Sequence, residues 1–191
     1  TVGGLEQALL SASVLDESGA DRHAVDAQLA AAWSLAQDER QKRIFWIGAC
    51  SIGIDPMPGD EELDSDLEFA SLVRATNAVS LGRPREAIPD LRVIRSEEAR
   101  RALVAAYLMD GDLRSAVDEL KDMASRFNQP TYLTRAVIEL VGANEWEEAG
   151  DLGTRTLAVL PGGHPDRGRL CGVVVSAAVA CADGRTIRDL I

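Results

Sequence analysis

Three times along this chain a residue suited to a left-handed turn stands five positions ahead of an alanine: Gly82-Arg-Pro-Arg-Glu-Ala87, Gly111-Asp-Leu-Arg-Ser-Ala116 and Asn144-Glu-Trp-Glu-Glu-Ala149. Glycine or asparagine can end a helix in the left-handed conformation, and a small side chain just past the reversal lets the next helix approach closely. The alanines lie 29 and 33 residues apart, a period typical of helical-hairpin arrays. One such hairpin cannot bury its apolar side alone, whereas stacked neighbours join their sides into a continuous core. The recurrence therefore restricts the chain to an all-α fold of nested hairpins.

The rest of the sequence agrees. Apolar residues recur at three- and four-residue spacing, as in Leu103, Tyr107 and Leu108 and then Leu113, Val117 and Leu120, while strand-like alternation is scarce. Breaks at Gly, Pro, Asn and Asp predict helices near 4–17, 21–37, 39–53, 62–81, 84–95, 97–109, 112–127, 131–142, 145–160 and 166–182. The stretch Asp55-Pro-Met-Pro-Gly-Asp-Glu-Glu-Leu-Asp-Ser-Asp66 reads as a solvated acidic linker. It sets N-terminal hairpins (1–54) apart, across a linker (55–65), from a repeat region with a C-terminal packing helix (66–191). That acidic run lacks the glycine placement and closing Glu of a calcium loop.

With these residues in view, the chain resembles the tetratricopeptide (TPR) repeat family over about residues 68–163. The window 130–163 has the family's length, with Leu133, Ala136 and Leu140 at first-helix core positions, Asn144 at the turn, Trp146 at the aromatic position, Ala149 at the small position and Pro161 at the terminating proline. Residues 97–129 match through Leu103, Tyr107, Gly111, Leu113, Ala116 and Leu120, and residues 68–96 through Ala75, Gly82, Ala87 and Leu91. The repeats are degenerate: Leu133 replaces the early Trp, Gly153 stands where a bulky aromatic is usual, and Gly150 and Gly153 each weaken their helix by about 1 kcal/mol relative to Ala. Residues 1–53 fit helical hairpins without the motif.

The resemblance implies a right-handed superhelical stack of antiparallel hairpins, an α-solenoid whose first helices line a concave groove. The corresponding positions are Phe69, Leu72, Thr76 and Val79, then Glu98, Arg101, Ala105 and Leu108, then Thr131, Thr134, Ile138 and Val141. Many are apolar, and the Lys and Asn pattern with which some TPR proteins hold a terminal carboxylate is missing. The expected ligand is an apolar or amphipathic helix of a protein or peptide partner. The alternative is that these residues touch neighbouring helices of the same chain.

Composition excludes other classes. With 20 Lys and Arg against 31 Asp and Glu, the formal charge is -11, a surface that repels phosphates and predicts no binding to nucleic acid or anionic membrane. The best basic cluster, Arg40, Lys42 and Arg43, is interleaved with Asp38 and Glu39 as on an ordinary solvated helix. Cys50, Cys171 and Cys181 show no paired spacing, which favours buried thiols and a cytoplasmic location. No leader-like segment opens the chain, and no apolar run approaches the ~20 residues of a membrane span. The chain begins with Thr1 and ends at Ile191 within a helical pattern, so it reads as a piece of a longer protein.

Sites for chemistry are few. His23 and His164 have no Cys or carboxylate at zinc-ligand spacing, and no serine sits in a nucleophile elbow. The segment 157–168, with Gly162, Gly163 and His164 after an apolar run, can be read as a phosphate loop, yet Pro161 and Pro165 remove backbone donors and the spacing fits no nucleotide fingerprint. An inter-repeat loop is the expectation. Trp33, Trp46 and Trp146 fall within helical apolar patterns and are expected in the core. The sequence thus predicts a non-enzymatic scaffold or sensor module without metal or cofactor. The other reading is a regulatory helical arm packed in cis on a catalytic domain, such as a signalling NTPase, transcription regulator or defence effector, outside these residues. Oligomeric state is not legible.

Overall fold

The protein is represented by a computed structural model that describes residues 2–55, 63 and 66–181. Among these residues it is all-α, with ten helices and no strand: α1 (Val2–Glu17), α2 (Arg22–Leu35), α3 (Glu39–Ile52), α4 (Leu67–Ser80), α5 (Pro84–Val93), α6 (Glu97–Asp110), α7 (Leu113–Arg126), α8 (Thr131–Gly142), α9 (Trp146–Val159) and α10 (Asp166–Ala180). Every expected helix is present. No helix of the described residues is long and apolar enough to cross a membrane.

The punctuation between helices is local chemistry. At Gly82, Gly111 and Asn144 the backbone is left-handed, with φ of 75°, 80° and 64°. Each turn is closed by the same two hydrogen bonds: Gly82 and Arg83 N–H donate to Val79 and Ala78 carbonyls, Gly111 and Asp112 to Leu108 and Tyr107, Asn144 and Glu145 to Val141 and Leu140. This pairing satisfies carbonyls that a helix end otherwise leaves open. The next helix starts two residues later, so Ala87, Ala116 and Ala149 are each its fourth residue, and each is fully buried. A fourth copy of the turn joins α1 to α2. Gly19 has φ 71°, and Gly19 and Ala20 donate to Asp16 and Leu15. There the loop is one residue longer, with Asp21 capping α2, and Val25 takes the buried fourth position.

The chain divides into two compact units, residues 1–102 and 103–191, the division falling within α6. In the first unit α1 packs on α2 and α3, α2 on α3, α3 on α4 and α4 on α5. Leu5, Leu9, Leu29, Phe45, Trp46, Ala70 and Val73 share one core. Trp33 lies 5.1 Å from Phe45 and 5.7 Å from Trp46, and Trp46 lies 6.4 Å from Phe69, tilted contacts that favour ring edges against faces. After α3 the chain is pinned to the end of α4: the Asn77 amide accepts from Ile54 N–H and donates to Ile54 O, both at 2.8 Å. Gly53, at φ 79°, sits so close to the Ser80 and Leu81 backbone that a Cβ would crowd it. Of the expected linker, Asp55 pairs with Arg83 at 2.8 Å and Leu63 is buried; residues 56–62, 64 and 65 lie outside the described residues.

In the second unit α7 packs on α8, α8 on α9 and α10, and α9 on α10. Its core is built of Ala116, Leu120, Met123, Ala136, Val137, Leu140, Ala149 and Leu170. Gly153 is buried where a Cβ would collide with the Val174 side chain, so the glycine that costs helix propensity is what lets α10 close onto α9. The segment 157–168 carries no strand; Arg167 donates to the Leu157 and Leu160 carbonyls at 2.8 and 2.9 Å and so caps α9.

Candidate functional site

The first unit carries an apolar groove of about 770 Å³. Its walls follow from helical spacing. Arg43, Ile47, Cys50 and Ser51 recur along one side of α3, Phe69, Leu72, Val73 and Thr76 along one side of α4, and Glu98, Arg101 and Ala102 at the start of α6. Asp66, Glu68, Ile94 and Ser96 complete the lining. Ile47 is 59% exposed although it is large and apolar. A second depression of about 560 Å³ shares Glu68 and Ile94 and adds Leu67, Ser71, Val93 and Arg95. There Leu67 and Val93 are 74% and 76% exposed. Together these form an apolar surface that the folded unit does not cover itself.

The groove's rim is ordered by one arginine. Arg43 pairs with Asp66 at 3.0 Å and lies 4.7 Å from the centre of the Phe69 ring. Asp66 caps α4 by accepting from Phe69 N–H. That amide, and then the Arg43 guanidinium, hold the Asp66 carboxyl below its ordinary value. Arg101 pairs with Glu97 on its own helix. Cys50 on the groove wall is a buried free thiol, pushed up to about 11 by desolvation against a smaller opposing effect of its backbone hydrogen bond. It is thus a poor nucleophile at neutral pH, because the thiolate is the reactive form.

Of the twelve groove positions expected from the sequence, Phe69, Leu72, Thr76, Glu98 and Arg101 come together in this groove. Val79 is buried in the first unit. Ala105 and Leu108 are half-buried in the second unit's part of α6. On α8, Thr131 is exposed, Ile138 and Val141 are half-buried, and Thr134 is buried with its hydroxyl oxygen unpartnered among the described residues. The cavities of the second unit are lined mainly by polar and charged groups: one of about 580 Å³ by Asp112, Arg114, Asp118, Lys121, Glu145 and Glu148 among others, one of about 460 Å³ by Glu147, Asp151 and Thr154 with Trp146 and Ala177.

The α3 wall was not anticipated. Its signal was the Arg43, Ile47, Cys50 and Ser51 spacing, which identifies a helix side but not what that side meets. Among the described residues no group of three or more His, Cys, Asp or Glu side chains is placed to hold a metal ion. Comparison with known proteins finds no matching family model, no similar curated protein and no similar solved structure.

Proposed function

We propose that this chain is a TPR-like interaction scaffold or sensor module that docks a helix of a protein partner in the groove of residues 1–102. The observation that carries this reading is the apolar surface formed by Ile47, Phe69 and Leu72 over buried Ile94, with exposed Leu67 and Val93 beside it. Exposed apolar patches of this kind, rimmed by charge, mark association surfaces, and helix-in-groove docking uses apolar anchors at helical spacing. The repeated turn and buried alanine support the likeness to TPR hairpins. Three free cysteines fit a reducing, cytoplasmic setting. The test is affinity enrichment from native lysate with the chain, a Leu72→Glu variant and a control, Val159→Glu, at an exposed position that does not line the groove. A protein retained by the chain and the control but lost with Leu72→Glu is the expected outcome, and identical sets for all three would sink the proposal.

A second reading, a regulatory arm packed in cis on a further domain, draws on α1. Leu10 and Val14 lie one turn apart and are 66% and 57% exposed, an apolar stripe suited to another helix. Hydrogen exchange on this chain and on a longer parent would show α1 amides gaining protection in the parent; equal protection would count against that packing.

A further inference from the structure

We infer that the groove on the first unit selects a cationic amphipathic helix, one whose apolar stripe is flanked by Lys or Arg that reach Glu68 and Glu98. This rests on the docking role proposed above and adds the chemistry of the partner. Both cations that line the groove are already engaged within the chain, Arg43 with Asp66 and Arg101 with Glu97. The Glu68 and Glu98 carboxylates line the same groove, are exposed, and have no ion-pair partner among the described residues. The uncompensated charge facing an incoming helix is therefore negative on both α4 and α6. Arg95, in the neighbouring depression, is the cation to its side. An acidic helix would meet like charge at both carboxylates, and a cationic one would find two acceptors beside an apolar floor. The formal charge of -11 adds long-range attraction for a cationic partner and opposes a second copy of this chain as the occupant.

The test uses three fluorescent helical peptides of about 18 residues, some 27 Å long, with one shared leucine stripe and Lys, Gln or Glu on the flanks. Each is titrated with the full chain, at low salt and at about 0.15 M, where screening shortens to roughly 8 Å. The Lys peptide is expected to bind roughly five-fold more tightly than the Gln peptide at low salt, from two exposed pairs, and the Glu peptide more weakly than either. Combining Glu68→Gln with Glu98→Gln should remove most of the Lys peptide's advantage over the Gln peptide, leaving only the salt-screened long-range part, and leave the Gln peptide unchanged. Glu6→Gln with Glu17→Gln, the same charge change on α1, should preserve the preference. Equal binding of Lys and Gln peptides, or an equal loss in the α1 control, would overturn the charge selection alone. If Ile47→Asp leaves binding of the Gln peptide intact, the docking groove itself falls. A dimer in sedimentation that Ile47→Asp dissolves would assign the groove to a second copy and overturn the inference.

Discussion

The two compact units use the same turn but fill their cores differently, and the filling decides which of them keeps an apolar groove. In residues 1–102 the helices are held by rings, Trp33, Phe45, Trp46 and Phe69, and the α3 and α4 sides beyond those rings leave an open channel. In residues 103–191 the core is filled by aliphatic side chains, Leu120, Met123, Val137, Leu140 and Leu170, with Ala116, Ala136 and Ala149 between them, and Gly153 lets α10 close onto α9. The larger cavity described there is lined mainly by Asp, Glu, Lys and Arg. Rings act as spacers in the first unit and Gly153 as a closure in the second, so the same hairpin plan yields an apolar groove in one place and mainly polar cavities in another.

The sharpest way to break this contrast is Trp46→Ala. Removing a fully buried indole should cost about 3–5 kcal/mol, read as a lower midpoint in denaturant and as lost hydrogen-exchange protection in α1 to α4. A change below about 1 kcal/mol would show that the rings are not the spacers. Next comes Cys50, whose thiol is raised from 9.0 to about 11. Below pH 9 the thiol is protonated in both folded and unfolded chains, and its contribution is complete. Between about 9 and 11 only the unfolded chain releases the proton, so stability falls as pH rises, by about 2–3 kcal/mol in all. The stability of Cys50→Ala across this range should lack that part of the decline; parallel pH profiles would refute the burial argument.

In the second unit, Gly153→Ala forces a methyl group against Val174 and should destabilise by about 1–3 kcal/mol. Adding Val174→Ala should recover part of the loss. Gly150 lies on the same helix, but a Cβ there would make only ordinary contact with Ala177, at 3.8 Å. Gly150→Ala should thus gain up to about 1 kcal/mol from helix propensity, and similar thermal shifts for the two glycines would dissolve the distinction between closure and mere tolerance. The smallest expected effect is Thr134→Val. Replacing a buried, unpartnered hydroxyl by a methyl group of the same shape should stabilise by about 1 kcal/mol. A loss of stability would mean that the hydroxyl has a partner.

What the sequence made legible was whatever its local chemistry dictates. Gly82, Gly111 and Asn144 needed the left-handed conformation, and the alanine five residues on needed burial, so helix ends and the small positions followed. The turn at Gly19 escaped notice because one more loop residue moves the buried site from Ala24 to Val25, and Ala24 is exposed. The groove was legible by half. The α4 and α6 positions followed from the family resemblance, but the α3 wall depends on which helix packs beside α4, a long-range matter on which spacing along one helix is silent. The division within α6 leaves no trace in composition, because the apolar rhythm runs unbroken through Ala102 and Leu103. Gly153 looked like a weak point for the same reason: propensity counts its cost at once, while the Val174 contact that explains it comes from another helix.

The repeated left-handed turn also bears on how the chain reaches its native state. Each reversal is fastened by hydrogen bonds spanning only three and five residues, and the helix it launches lies immediately downstream. Little polymer entropy stands in the way of such contacts, and proteins dominated by near neighbours in sequence fold in microseconds to milliseconds. A hairpin can therefore form before its neighbours arrive and serve as the template on which the next one condenses, and the search through conformations becomes a succession of short steps.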